Sequence, residues 1–261
     1  MLKSLNILKF SFLIIFAHIF GNISAGNVVY FDPDGNLRNI AGIQANGSFY
    51  FRSISKDSQF IVVANRNLMD SKVSQIKPEI MIVQSLYYKE MLKQLNLQAV
   101  YIFSYDSKLT YRKKIISLNP EIKSLSSLNK KIIASSLNKK DLISLIGKKA
   151  EEWRILNVPK DLDAIMGLKF LQADAAIVSD NSLEVFQKID PVDYKKINIL
   201  HSTDKIFRPV VVRTLYSGEE SEKIIKSMQN ISSDPLGKNF LKTLNLDSIS
   251  NKKADLNSLK R

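Results

Sequence analysis

The chain contains no cysteine, and only two of its 261 residues are histidines. Disulfides and thiolate ligands are therefore excluded, as are zinc sites built from clusters of Cys and His. One histidine, His18, lies in an apolar N-terminal run, and we interpret the other, His201, as an ordinary residue at the end of a strand. A Ser-His-Asp hydrolase would have to use His201, yet no G-x-S-x-G nucleophile elbow occurs.

Nucleotide-binding motifs are also missing. There is no G-x-G-x-x-G and no Walker loop, so nucleotide chemistry would lack its phosphate cradle. We predict a binding protein rather than an enzyme, with no catalytic residues, no cofactor and no metal.

Glycine and proline are too few for a fibrous or low-complexity chain, at nine and seven residues. The composition is 45% hydrophobic and 24% charged, which is typical of one large globular domain or two small ones. The formal net charge of +13 favours an anionic partner. Because the lysines are scattered and paired with acids, with no basic stripe among aromatics, we expect no nucleic-acid binding.

A long apolar run is absent as well. Lys3 and Lys9 precede an apolar stretch from Phe10 to Phe20, and small residues follow it. This stretch is about half of the ~20 residues that a membrane span requires, and the layout is typical of a secretory signal peptide, residues 1–25. We expect a periplasmic protein without a lipid anchor, since no cysteine could carry one. The alternative is an uncleaved membrane anchor.

Short β-like runs alternate with helical patterns along the rest of the chain, which predicts an α/β fold with parallel strands. The pattern divides into two lobes, one of residues 26–105 with 206–261 and one of residues 106–205. Two crossing strands near 105–112 and 202–210 would join them, and a ligand would bind in the cleft between the lobes. Residues 36–55 have a poor helical pattern, with Gly42 and Gly47 lowering its regularity.

The chain ends with a proline-initiated helix in the segment "SSDPLGKNFLKTLNL", residues 232–246. Ser233 or Asp234 can cap it, and Pro235 suits the first helical position because it has no N–H. The apolar residues at helical spacing predict one buried stripe. These residues are Leu236, Phe240, Leu241 and Leu244.

Four segments together resemble the periplasmic solute-binding proteins of phosphonate, phosphite and phosphate ABC importers, of which this chain would be a short, divergent member. The segments are "KPEIMIVQSLYYKE", "LTYRKKIISLNPEIKSLSSLNKKIIASS", "GLKFLQADAAIVSDNSLEVF" and "DPLGKNFLKTLNLDSI". The resemblance implies a two-lobed periplasmic-binding-protein fold, type II-like. It also implies a small anionic or zwitterionic solute, an ABC permease in the inner membrane, and a monomer.

The resemblance also implies a ligand site. Its residues would be Ser85, Tyr87, Tyr88, Tyr111, Ser135, Ser136 and Asp180. Ser135 and Ser136 would open a helix whose free N–H groups suit an anionic head group, or would only cap it. One of the two adjacent tyrosines would face the cleft and the other the core. Asp180 would contact the ligand, or cap the helix that begins at Asn181.

One departure from the family concerns the anion loop. Here "ASSLNKKD" has no glycine, and Leu137 occupies a position where its side chain could obstruct a ligand. An alternative function is therefore a sensor or accessory module for a membrane partner, with the same fold and a changed or lost ligand.

A first prediction concerns the signal peptide, residues 1–25, which we also call the leader. Because small residues end it, cleavage after Ala25 or Gly26 is expected, and the mature chain should be found in the soluble envelope fraction. N-terminal mass spectrometry of the secreted protein checks this. Recovery of the uncut chain from the membrane fraction would instead show an anchor.

Overall fold

The computed structural model describes residues 26–33, 39–64 and 66–259, so the predicted leader, residues 1–25, lies outside the described residues. The strands are β1 (Val28–Phe31), β2 (Phe60–Val62), β3 (Ile80–Val83), β4 (Gln98–Ser104), β5 (Thr110–Tyr111), β6 (Lys113–Ser117), β7 (Ile132–Ser135), β8 (Arg154–Asn157), β9 (Ala175–Ser179), β10 (Asn198–Ser202), β11 (Ile206–Phe207), β12 (Val210–Arg213) and β13 (Ser248–Ser250). The helices are α1 (Ile40–Ile54), α2 (Arg66–Ile76), α3 (Ser85–Met91), α4 (Lys139–Ile146), α5 (Asp161–Lys169), α6 (Asp180–Ile189), α7 (Pro191–Tyr194), α8 (Glu219–Met228), α9 (Pro235–Thr243) and α10 (Lys253–Ser258).

The first sheet has six strands in the order β13-β4-β12-β3-β1-β2. Strand β1 pairs in parallel with β2 and β3, as predicted, whereas β12 is antiparallel to β3 and β4. The prediction of parallel strands is therefore wrong for β12. The register pairs Val210, the first residue of β12, with Val83, the last residue of β3. Strand β12 thus enters the sheet at the edge where the parallel strands end.

The second sheet has five strands in the order β10-β6-β9-β7-β8. Strand β7 pairs in parallel with β8 and β9, while β6 is antiparallel to β9 and β10. Lys113, the first residue of β6, pairs with Ser179, the last residue of β9. The start of β6 is therefore held next to the start of α6.

A two-stranded ribbon joins the two sheets. Its strands are β5 and β11, with Tyr111 opposite Ile206 and Thr110 opposite Phe207. These are the crossing strands that the sequence predicted, and they make the architecture two-lobed. The lobe boundaries near residues 105 and 206 stay a prediction.

Helix α1 forms within residues 36–55, where the sequence shows only a poor helical pattern. Asn39 caps the helix by accepting a hydrogen bond from the Gly42 N–H at 2.8 Å. A Cβ on Gly47 would lie 2.3 Å from the Phe60 ring, so this glycine permits close packing of the helix on β2. The two glycines that weakened the helical pattern thus serve a cap and a close contact. Among the described residues, no helix is long and apolar enough to cross a bilayer.

Helix α9 begins as the sequence predicts, because the Asp234 carboxylate accepts a hydrogen bond from the Gly237 N–H at 2.6 Å. Phe240 and Leu241 pack in the first-sheet core against α1. The predicted stripe is wrong at Leu236, which is 39% exposed. Leu236 is the second residue of α9, and the buried residues of this helix, Gly237, Phe240 and Leu241, follow it.

Gly237 should be intolerant of a side chain. A Cβ there would lie 2.4 Å from the Ile231 carbonyl oxygen, a backbone atom that cannot easily move. We expect Gly237→Ala to lower the free energy of unfolding by about 1–3 kcal/mol, as overpacking does. Urea unfolding followed by circular dichroism measures the change.

Gly167 in α5 provides the matched control. A Cβ there would meet nothing closer than Ala134 Cβ at 3.6 Å, an ordinary contact. Gly167→Ala should raise the free energy of unfolding by about 0.5–1 kcal/mol through helix propensity. Equal effects of the two substitutions would contradict the packing argument.

Candidate functional site

A cavity of about 320 Å³ lies between the two lobes. It is placed where strands of both sheets end, since Asp32 follows β1 and Ser179 ends β9. Crevices at the carboxyl ends of parallel strands are the usual ligand sites of such sheets. The lining residues are Asp32, Pro33, Tyr111, Lys160, Asp161, Leu162, Ser179, Asn181, Ser182, Val185, Arg208, Pro209, Leu244, Asn245 and Leu246.

A buried ion pair lies at the second-lobe wall of this cavity. The Lys113 ammonium is 2.9 Å from Asp161 Oδ1 and 3.2 Å from Oδ2, and the Lys113 side chain is fully buried. Lys113 begins β6 and Asp161 begins α5, so the pair ties a strand to a helix across β9. Buried charges of this kind are tolerated only when they are paired and hydrogen-bonded.

Three further donors complete the environment of the carboxylate. Ser136 Oγ donates to Asp161 Oδ1 at 2.8 Å, and the Ser179 N–H donates to Oδ2 at 2.6 Å. Ser182 Oγ makes a longer contact with Oδ2 at 3.4 Å. Burial alone would raise the pKa of the Asp161 carboxyl, but the Lys113 ammonium and these donors hold it below its ordinary value. Asp161 is therefore charged in the folded protein at neutral pH.

The first-lobe side of the cavity presents a cation. Arg208 is only 7% exposed, and its guanidinium carbon lies 5.3 Å from the Tyr105 ring centroid and 5.6 Å from the Tyr111 ring centroid. Its Nε donates to the Lys108 carbonyl at 3.0 Å, and the residue lines the cavity. Burial lowers the pKa of Arg208, although an arginine stays charged at neutral pH.

Arg208 has no carboxylate within salt-bridge distance inside the described ranges. Asp32, which also lines the cavity, acts on it electrostatically and favours its charged form. A guanidinium held between two rings is suited to a carboxylate, phosphate or phosphonate group, because its planar donors match two oxygens at once.

The three residues predicted after β3 do not line the cavity. Ser85 is buried and donates to the Phe207 carbonyl at 2.7 Å. Tyr87 and Tyr88 are both fully buried in the first-lobe core, and the Arg66 guanidinium lies 4.2 Å from the Tyr87 ring centroid. The expectation that one tyrosine faces the cleft is therefore wrong, because α3 turns both rings into the core.

Ser135 and Ser136 are placed beside the ion pair and not at a helix start. Helix α4 begins three residues later, at Lys139, and its cap is Asn138, which accepts from the Asp141 N–H at 2.9 Å. Ser135 is fully buried and accepts from the Leu137 N–H at 3.0 Å, while Ser136 donates to Asp161. Leu137 packs in the second-lobe core, so it does not obstruct the cavity.

Of the two remaining predicted site residues, Tyr111 is among the residues that line the cavity and Asp180 is not. Tyr111 lines the cavity beneath Arg208. Asp180 is the first residue of α6, and its carboxylate is 2.8 Å from the Lys114 ammonium. The cap of this helix is Ser179, which accepts from the Ser182 N–H at 3.2 Å, so the alternative that Asp180 is the cap is wrong.

Sequence reasoning missed Lys113, Asp161 and Arg208. A signal for Lys113 was available in "TYRKKIISL", because a central strand covered on both faces must bury one of two adjacent lysines. A buried lysine then requires an acid. No comparable signal marks Arg208, whose place depends on how the crossing strands meet.

Among the described residues, no group of three or more His, Asp or Glu side chains is arranged to hold a metal ion.

In the comparison with known protein families, one family matches this chain. The family described as ABC transporter, phosphonate, periplasmic substrate-binding protein matches residues 59–256. No curated protein sequence matches the chain.

Several solved structures share the fold. XAC2383 from Xanthomonas citri bound to ATP has 13% identity and a TM-score of 0.70, with 90% of this chain and 96% of that chain covered. A binding protein component of an ABC phosphonate transporter from Pseudomonas aeruginosa has 11% identity and a TM-score of 0.67, covering 88% and 82%. PhnD1 from Prochlorococcus marinus in complex with methylphosphonate has 12% identity and a TM-score of 0.66, covering 89% and 94%. At these identities the similarity shows the fold alone.

The ion pair should govern part of the acid sensitivity of the fold. Because the pKa of Asp161 is lowered on folding, the pair contributes stability that is present above the unfolded pKa of about 3.9 and is lost as the pH falls through the folded value. Replacing both partners, as Lys113→Met with Asp161→Leu, should make the free energy of unfolding depend less on pH in the acid range, which we call the acid limb. Urea unfolding between neutral and acid pH measures it.

Asp174→Asn is the matched control, since the Asp174 carboxylate also accepts a backbone N–H, that of Ile132 at 2.9 Å, and contacts Lys131. The Asp174 side chain is 30% exposed, so its ion pair contributes little, and Asp174→Asn should leave the acid limb nearly unchanged. Parallel pH curves for the wild type and the double variant would contradict the assignment.

Proposed function

Because the chain belongs to the family of periplasmic substrate-binding proteins of phosphonate ABC transporters, we propose that it delivers a small oxyanion-bearing solute to an ABC importer. The solute, phosphonate-, phosphite- or phosphate-like in its charged group, would bind in the cavity between the lobes. The protein would act outside the cytoplasm after removal of its leader, with an inner-membrane permease as its partner.

Arg208 is the observation that carries this proposal. It is a buried cation at the wall of a cavity, held by two aromatic rings and one carbonyl. Retaining a desolvated guanidinium is costly unless an anion compensates it, so its position favours a ligand with a negative group. We therefore place the solute's oxyanion at Arg208 and not at Ser135 and Ser136.

The remaining wall suits the body of a small polar solute. Asn181, Ser182 and Lys160 contribute hydrogen-bonding groups, and Val185 and Leu162 contribute apolar surface. A volume of about 320 Å³ is near the lower end of the range for small-molecule pockets. A solute of the size of an alkylphosphonate fits better than a nucleotide.

The two-stranded ribbon would act as the hinge. Tyr111 belongs to β5 and packs under Arg208, which follows β11, so the cation stands at the point where the lobes are joined. A solute that bridges Arg208 and the start of α6 would favour closure of the lobes, and the closed form would be presented to the permease. The function is binding and delivery, with no chemical step.

Arg208 should be essential for solute binding. Isothermal titration with methylphosphonate, phosphite, phosphate and short carboxylates identifies the best ligand of the wild type. For that ligand we expect Arg208→Gln to weaken binding by about 1–3 kcal/mol, or roughly 5- to 150-fold, the cost of leaving a charge-assisted bond unmade. Arg208→Lys should recover only part of it, because lysine lacks the planar fork.

Arg213→Gln is the matched control on β12. Arg213 pairs with Glu222 at 2.6 Å on the surface and does not line the cavity, so its replacement should leave affinity unchanged. A loss of equal size in both variants would refute the role of Arg208. No binding of any of these anions to the wild type would favour the sensor or accessory alternative, with a changed or lost ligand.

A further inference from the structure

The donors around the Asp161 carboxylate have the composition of an oxyanion site. They are an ammonium, that of Lys113; a hydroxyl, that of Ser136; and a backbone N–H, that of Ser179 at the start of α6. Hydroxyls, backbone N–H groups at a helix start and a basic side chain are the donors that proteins use for phosphate-like groups. They converge from β6, the loop after β7 and the end of β9.

Asp161 comes to this set from a separate element, the first residue of α5, and both of its oxygens are used. Oδ1 accepts from Lys113 and Ser136, and Oδ2 from Lys113, Ser179 and, at 3.4 Å, Ser182. We propose that the Asp161 carboxylate is a built-in occupant of an oxyanion site on the second lobe, and that it determines specificity by excluding free tetrahedral oxyanions from that lobe.

The position of the pair at the cavity separates this role from that of an ordinary core ion pair. Asp161, Ser179 and Ser182 all line the cavity, so the carboxylate and two of the residues that donate to it lie at the wall of the solvent space. A purely structural pair deep in the core would have no route to an external anion. Here, removal of the carboxylate would open the donor set toward the cavity.

The consequence for the solute rests on the proposed function. With the donors around Asp161 already satisfied, the buried cation left for the charged head of a solute is Arg208, and Lys160 adds a half-buried ammonium at the cavity wall. The other end of the solute would meet the hydroxyl and amide groups of Ser182 and Asn181. The solute class is therefore an organic anion with one charged head and a polar or apolar body, and inorganic phosphate should bind poorly.

The test is rescue of Asp161→Ala by external anions. Loss of the carboxylate leaves Lys113 buried without this partner and should lower the melting temperature. Sodium formate and, separately, inorganic phosphate should restore it saturably by roughly 5 °C, with sodium chloride at equal ionic strength as the reference. The Arg208→Gln protein, which keeps Asp161 and lacks the cation proposed to bind solute, should show no such rise with formate, because its own carboxylate occupies the site.

Two control variants isolate the site. Lys113→Met combined with Asp161→Ala removes the ammonium and should abolish the rescue. Asp174→Ala removes a carboxylate that also accepts a backbone N–H and contacts a lysine, yet lies at 30% exposure away from the cavity, and should show no rescue. Rescue of either control to the same extent would overturn the proposal.

Should Asp161→Ala fail to fold in chloride, the readout is the yield of native protein on refolding in formate or phosphate against chloride. No gain in any anion would overturn the proposal. Rescue by formate but not by phosphate would overturn the exclusion claim, since size would then exclude tetrahedral anions.

The rescue should persist in an Asp161→Ala protein that also carries Arg208→Gln. Its persistence separates this inference from the proposed function, since either can fail while the other stands.

Discussion

The buried pair of Lys113 and Asp161 is the interaction on which the second lobe depends. A lysine without solvent contact must find an anion, and Asp161 is the carboxylate within 3 Å of it. The same carboxylate holds the Ser179 N–H and the Ser136 hydroxyl. The Asp161 carboxylate thus holds together four elements. They are the first residue of β6, the end of β9, the loop after β7 and the start of α5. Loss of one partner would disturb all four at once.

The path of the chain explains why this pair lies at the cavity. A strand that enters a lobe through the ribbon must begin at the edge where the parallel strands end. Lys113 therefore pairs with Ser179, and Val210 pairs with Val83 by the same rule in the first lobe. Arg208, two residues before β12, is carried to the opposite side of the cavity. The positions of Lys113 and Arg208 are therefore both set by the crossing strands, since Lys113 follows β5 and Arg208 follows β11.

The two cations are used differently. Lys113 is neutralised within the protein, by a carboxylate that keeps its charge because its pKa is held low. Arg208 is held by aromatic faces, which stabilise a cation without neutralising it. The buried Lys113 is thus neutralised inside the protein, whereas Arg208 makes no salt bridge within the described ranges and is influenced by Asp32 only through space. Such asymmetry suits a solute with one charged end, as proposed for this member of the family.

The sequence by itself determined the α/β class, the two crossing strands and helix α9, because strand and helix periodicities and the Asp234–Pro235 cap are local properties of the chain. Only the tertiary structure decided the site. Tyr87 and Tyr88 follow a strand as cleft residues do, yet the direction of α3 places both in the core. Asp161 and Lys113 are 48 positions apart, and nothing local brings them together. Their contact depends on the order of strands in the sheet, which is a property of packing over the whole lobe.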